Sequence, residues 1–136
     1  MAETLRLEII TPLGTVFSED ATMVTLPAVD GQIGVYPGHV RLITQVVPGE
    51  IIATRGAEER FFAVGEGLVE IGPQHVAIVT DMAIPADGID EAKAEEARAR
   101  AEARLRDKIS DEEVASVNAS LVRSLAQLQV RRRRRV

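Results

Sequence analysis

The stretch Pro85-Ala86-Asp87-Gly88-Ile89-Asp90-Glu91-Ala92-Lys93-Ala94-Glu95-Glu96-Ala97 divides the chain into two kinds of sequence. All six Pro lie at or before Pro85, and Gly88 is the last of ten Gly. The 48 residues that follow therefore lack both strong helix breakers. Asp90 is placed to cap a helix that starts at Glu91, its carboxylate accepting from the first-turn amides. Ala94, Ala97, Ala101 and Leu105 then recur at helical spacing, with Glu96/Arg100 and Glu102/Arg106 as i,i+4 pairs. A break is expected at Lys108-Ile-Ser110, after which Ser110 and Glu113 have capping-box spacing. The second apolar stripe is Val114, Val117, Leu121, Leu125 and Leu128. Two helices of roughly five turns with so short a break form an antiparallel hairpin.

Upstream of Pro85 the period changes from helical to alternating. Leu5-Arg-Leu7-Glu-Ile9 alternates strictly, and Thr22–Leu26, Ile51–Ala53, Phe61–Val64, Leu68–Ile71 and Val76–Val79 are short β-rich runs. Asp30-Gly31, Pro37-Gly38, Pro48-Gly49, Arg55-Gly56 and Gly72-Pro73 supply turns between them. This spacing predicts a sandwich or barrel. The expected fold is mainly β plus α: an antiparallel β-sandwich over residues 1–86, then the hairpin and a basic tail over 87–136. The hairpin's first helix offers mostly Ala, and a buried methylene contributes only about 0.8 kcal/mol. So thin a seam does not stand alone. The hairpin either packs permanently on the β-domain or is weakly docked and detachable.

Charge and composition narrow the function classes. Five arginines in the last six residues, set against a net charge of −5, leave the other 130 residues at −10. Such asymmetry points to a partner surface. The rings are Phe17, Phe61, Phe62 and Tyr36 alone, too few for a single-strand nucleic-acid platform. The absence of cysteine excludes disulfides and thiolate chemistry. His39 and His75 lie 36 residues apart without metal-ligand spacing, so no metal site is expected. No nucleophile–base arrangement or phosphate-cradling loop is present, and Gly65-Glu-Gly67 has no helix after it. The reading is a non-catalytic module. Met1-Ala-Glu-Thr-Leu-Arg has no secretory pattern, and no apolar run approaches the ~18 residues of a membrane span.

The most informative loop is Val29-Asp-Gly-Gln-Ile-Gly-Val-Tyr-Pro-Gly-His-Val-Arg-Leu-Ile-Thr44. Its pattern Gly-x-Ile-Gly-x-Tyr-Pro-Gly-His-x-x-Leu-Ile-Thr closely resembles the signature of the epsilon subunit of F-type, proton-translocating ATP synthases, called delta in mitochondria. The resemblance runs through nearly the whole chain. It includes Leu7-Glu-Ile-Ile-Thr-Pro12, Phe17-Ser, Pro48-Gly49-Glu-Ile, Gly67-Leu-Val-Glu-Ile, Val76-Ala-Ile-Val-Thr-Asp81 and Ile89-Asp90-x-x-Lys93-Ala94.

This resemblance implies a sandwich of about ten strands in two sheets that binds the gamma subunit and rests on the c-ring in the central stalk. Val29, Asp30, Gly31, Gln32, Tyr36 and His39 are then the gamma and c-ring interface candidates, although Tyr36, Pro37 and His39 read equally well as a structural turn. The hairpin is implied to fold against the sandwich or extend toward the catalytic head of alpha and beta subunits, inhibiting ATP hydrolysis. Arg98, Arg100, Arg104, Arg106, Arg123 and the tail residues Arg131, Arg132 and Arg133 are candidates for those contacts. No cofactor is required. A weak regulatory ATP is implied at Ile89, Asp90, Lys93, Ala94, Arg100 and Arg123. Lys93 stands where the family motif has Arg and lacks its bidentate fork. The implied location is peripheral, on the cytoplasmic face of the cell membrane or the organellar equivalent. A different class of function is a polyanion adaptor that binds RNA or anionic lipid through Arg131–Arg135. The body charge of −10 weighs against it.

Overall fold

A computed structural model describes residues 3–134; Met1, Ala2, Arg135 and Val136, with the readings made on them, lie outside it. Ten strands precede two helices: β1 (Leu5–Thr11), β2 (Gly14–Ala21), β3 (Met23–Ala28), β4 (Gly31–Val35), β5 (Leu42–Val46), β6 (Gly49–Arg55), β7 (Glu58–Val64), β8 (Gly67–Ile71), β9 (His75–Thr80) and β10 (Ala83–Pro85). A single 3-10 turn (Ala86–Gly88) leads into α1 (Glu91–Leu105) and α2 (Asp111–Arg133).

The strands form two layers. One has the order β10-β7-β6-β3 with β4 on β3, the other β5-β8-β9-β1-β2. They are joined by one bridge, Ala28 to Val46. Alternation puts Leu5, Leu7 and Ile9 of β1, Val24 and Leu26 of β3, and Val76 and Ile78 of β9 into one core. Phe17 and Phe62 meet across that core edge to face, with ring centres 5.0 Å apart. Each such buried side chain contributes about 1.5–3 kcal/mol. The core accordingly supplies most of the stability.

Four expectations change. The sandwich is not wholly antiparallel, because β1 pairs β9 in parallel. A short turn forces antiparallel neighbours, but β1 and β9 are separated by seven strands and no turn dictates their direction. The stretch 29–44 is not one loop; it holds β4, whose glycines hid its strand character, and the start of β5, whose Leu42–Val46 does not alternate cleanly. The helices are unequal, 15 and 23 residues. Their caps are as read: Asp90 Oδ1 accepts from the Lys93 amide at 3.1 Å, and Ser110 Oγ from the Glu113 amide at 3.2 Å.

The α2 stripe also differs, since Leu125 is 45% exposed while Ser124, Ala126, Leu128 and Val130 are buried. All four lie in the second half of α2, where the helix is wedged between α1 and the sandwich. Burial there spans an arc wider than one heptad-like stripe. Beneath it, Ala63, Ala86, Ile89 and Val130 form a second small cluster with Phe61, Met82 and Ile84 against it.

Gly67 marks a close approach of β8 and β9: a Cβ there would lie 1.9 Å from the Val79 carbonyl oxygen. Gly34 faces open space. Gly67→Ala is therefore expected to lower stability by about 1–3 kcal/mol, whereas Gly34→Ala stays within about 0.5 kcal/mol of the parent. Urea unfolding followed by circular dichroism checks both.

Candidate interaction surfaces

Strands β1, β5, β8 and β9 of one sheet each contain consecutive apolar residues where alternation needs only one: Ile9-Ile10, Leu42-Ile43, Leu68-Val69 and Ile78-Val79. In the last three, one member points outward and stays exposed or partly so. Ile43 is 69% exposed, Leu68 58% and Val79 54%. Register places Leu68 opposite Val79, and Val79 opposite the partly buried Ile10, making a row across β8, β9 and β1. Gln45 extends that row onto β5. This open apolar face is the first candidate site. Its individual residues were not singled out from the sequence, though the doublets were a legible signal for them.

The interface candidates taken from the sequence frame this face from two ends. Val29, Asp30, Gly31 and Gln32 form the tip of the β3–β4 hairpin, where Gly31 has φ 124° and turns the chain. The Val29 amide donates to the Gln45 carbonyl at 3.0 Å, which ties the tip to one end of the face. Tyr36, 62% exposed, and His39 lie beyond the far end of β4, so its five residues hold them roughly 15 Å from the tip. His39 Nδ1 is 2.6 Å from the Val40 carbonyl oxygen, and the Gly38 amide donates to the Pro73 carbonyl at 2.6 Å. The structure thus separates the six candidates into two groups with the apolar strands between them. Beside the second group, His75 Nε2 and Glu8 Oε1 are 2.8 Å apart.

The second site is the seam between hairpin and sandwich. Ile89 is buried in the small cluster, Asp90 is engaged as the N-cap, and Ala94 is buried. Lys93 and Arg100 are exposed, and among the described residues no ion pair involves either. Arg123 pairs with Asp81 of the sandwich at 3.4 Å and donates to Ser120 Oγ at 3.3 Å. A groove of about 260 Å³ runs past it, flanked by Glu66 and Asp81. The α1 N-terminus lies instead beside Arg132, nine residues farther along α2, or roughly 13 Å. Of the six residues named for ATP, Arg123 lines this groove and the other five do not.

Four of the six remaining candidate arginines are tied to carboxylates. Arg98 bonds Glu95 and also Glu102, the latter at 2.7 Å, on the surface of α1. Arg104 reaches Glu113 at 2.6 Å and closes the break between the helices. Arg106 is exposed at the α1 C-cap. Arg131 is partly buried in the last turn of α2. Arg132 bonds Glu91 and Glu95 of α1, each at 3.1 Å, and Arg133 and Arg134 reach Glu50 of β6.

The two halves of the chain match two family descriptions: "ATP synthase, Delta/Epsilon chain, beta-sandwich domain" over residues 4–86 and "ATP synthase, Delta/Epsilon chain, long alpha-helix domain" over 87–131. Among similar proteins, the ATP synthase epsilon chain of Hydrogenovibrio crunogenus is 38% identical over 129 residues, 95% of this chain and 90% of that one. That of Herpetosiphon aurantiacus is 39% identical over 131 residues, 96% of each. In fold, the chain resembles one in the Euglena gracilis mitochondrial ATP synthase, with a TM-score of 0.76 at 20% identity. That match covers 93% of this chain and 79% of the other. It also resembles one in the Tetrahymena thermophila central stalk and c-ring, with a TM-score of 0.63 at 12% identity, covering 93% and 96%.

The Arg98 guanidinium, helped by Arg132, holds the Glu95 carboxyl below the usual carboxylate range. A lowered folded-state value means that its stabilising contribution is complete above the unfolded carboxylate pKa of about 4.3 and fades as pH falls through the lower folded one. An NMR titration is expected to find Glu95 below the ordinary range, and Arg98→Ala to move it upward.

Proposed function

The chain belongs to the delta/epsilon family of ATP synthase subunits, and from that premise we propose that it is a non-catalytic part of the rotating central stalk, linking the gamma subunit to the c-ring. The observation that supports this reading most is the open apolar row Leu68–Val79–Ile10 with Ile43 beside it. Apolar side chains aligned on one sheet face mark a surface made to be covered. Among the described residues no helix is long and apolar enough to cross a membrane. Attachment would therefore run through the other subunits, which makes the chain a peripheral part of the complex, on the cytoplasmic or organellar equivalent side.

In this arrangement gamma covers the apolar row, and the polar tip Val29–Gln32 meets the loops of the c-ring. An interface with an apolar centre and polar rim is the usual anatomy of such contacts. Tyr36 and His39 mark the opposite margin. The hairpin supplies regulation by leaving the sandwich and extending toward the alpha and beta subunits, where Arg98, Arg100, Arg104, Arg106, Arg123 and the tail would meet acidic surfaces. Its small contact cluster, built largely from Ala63, Ala86, Ile89 and Val130, suits an element with two similarly stable positions. Regulatory ATP belongs to the same reading as a weak ligand of the hairpin, with the exposed Lys93 and Arg100 as its cationic partners. The polyanion-adaptor alternative loses ground because Arg132, Arg133 and Arg134 already pair with carboxylates of the chain.

Titration calorimetry with purified gamma tests the stalk reading. Burying three large apolar side chains contributes a few kcal/mol, so an Ile43→Ser, Leu68→Ser, Val79→Ser variant is expected to bind about a hundredfold more weakly. No heat of binding with the parent chain would refute the reading. Regulation is tested separately in the assembled enzyme. Deleting residues 88–136 is expected to raise ATP hydrolysis, and an unchanged rate would remove the inhibitory role alone.

A further inference from the structure

The stalk reading leaves the placement of Glu50 unexplained. It lies on β6 opposite Ala63 of β7, on the outer side of the sandwich where the hairpin ends. Its side chain is only 8% exposed. A carboxylate so sheltered is costly unless it is paired. The pairing comes from 84 residues away. Arg134 Nε and Nη2 reach Glu50 Oε2 and Oε1 at 3.1 and 2.9 Å, a two-point contact, and Arg133 Nη1 approaches Oε1 at 3.4 Å. The Arg134 guanidinium also lies 3.9 Å from the centre of the Phe61 ring. A helix C-terminus is the negative end of its dipole, so seating the end of α2 beside Glu50 would be repulsive without these cations. Arg134 accordingly has its pKa raised, chiefly by its bond to Glu50.

Arg132 does something different from its neighbours. Both of its partners, Glu91 and Glu95, belong to α1, so it clamps the two helices to each other. Arg133 and Arg134 bridge to the sandwich instead.

We propose that Arg133 and Arg134, with Glu50 and Phe61 as their seat, form an ionic latch that holds the end of the hairpin on the sandwich. The apolar contact it reinforces is small, since Val130 is the one α2 residue buried in the cluster with Ala63, Ala86 and Ile89. While the latch is closed, the same two arginines are occupied within the chain and are withheld from any other acidic surface. The basic run at the end of α2 is thus a device for keeping the hairpin docked. The latch belongs to the chain itself and is testable without any other subunit, so its failure leaves the stalk reading untouched.

The sequence has no cysteine, so a full chain carrying Ala57→Cys in the exposed β6–β7 turn and Ala103→Cys on the exposed side of α1 takes two spin labels cleanly. Pulsed electron resonance then reads the distance between sandwich and hairpin. The parent is expected to give one narrow distribution. Both Glu50→Gln and the double variant Arg133→Ala, Arg134→Ala are expected to raise the separated population about tenfold, the scale of a lost charge-assisted bond. Arg132→Ala is expected to keep the parent distance. The double variant alters only the helix end, so it decides even where Glu50→Gln perturbs β6. A parent-like distribution in the double variant overturns the proposal. So does separation by Arg132→Ala equal to that of the double variant.

Discussion

Phe62 and Ala63 are neighbours on β7 and both are buried almost completely, which a strand achieves only when each of its faces is covered. Phe62 enters the sandwich core, and Ala63 lies under the hairpin. That double burial is the constraint on which the rest of the arrangement depends. It fixes where α2 must end, and so which side chains meet its last turn. It also accounts for the unbroken apolar run Phe61–Val64. The opposite sheet has similar runs on β8 and β9, yet among the described residues no element covers Leu68 or Val79. The molecule therefore has two apolar outer faces. One is covered by the hairpin and the other is exposed among the described residues.

The covered face is held by modest forces. Ala, Val and Ile side chains supply a small dry patch, and charges at its margins supply the rest. Arg123 reaches Asp81 at one margin, and Arg133 and Arg134 reach Glu50 at another. Exposed pairs of this kind contribute about 0–1 kcal/mol each, whereas a sheltered, two-point contact contributes more. The Arg123–Asp81 pair is more than a third exposed on the Asp81 side, so it belongs to the weaker class. Glu50 belongs to the stronger. In the proposed latch, that contact sits at the tip of the longer helix, where it has the greatest leverage over the hairpin.

Much of this is legible in the sequence. The loss of Gly and Pro after Gly88, the cap at Asp90 and the box at Ser110–Glu113 marked both helix starts, because these are local effects of backbone hydrogen bonding. The alternation of Leu5, Leu7 and Ile9 marked β1 and its core side. The ordered motifs from Leu7 to Ala94 pointed to the family. The strands β4 and β5 were harder to see, since Gly31 and Gly34 in the one and the mixed Leu42–Val46 in the other show no clean alternation. Leu125 was read into the helix seam because its spacing is right. It is exposed because α2 turns its most buried arc toward the space between α1 and the sandwich.

By itself, the sequence determined the division into a β half and a helical half, the helix caps and the absence of thiol chemistry. Each of these depends on residue type or on neighbours a few positions away. Only the tertiary structure decided that β1 lies parallel to β9, that Leu68 and Val79 share an open row, and that the candidates Val29–Gln32 and Tyr36 and His39 stand at opposite ends of β4. It alone also decided that the terminal arginines meet Glu50, 84 residues away, rather than solvent. The physical reason is the same in every case. A side chain's partner across a sheet or a domain seam is set by how distant segments pack to bury their apolar faces, and no local pattern encodes that pairing.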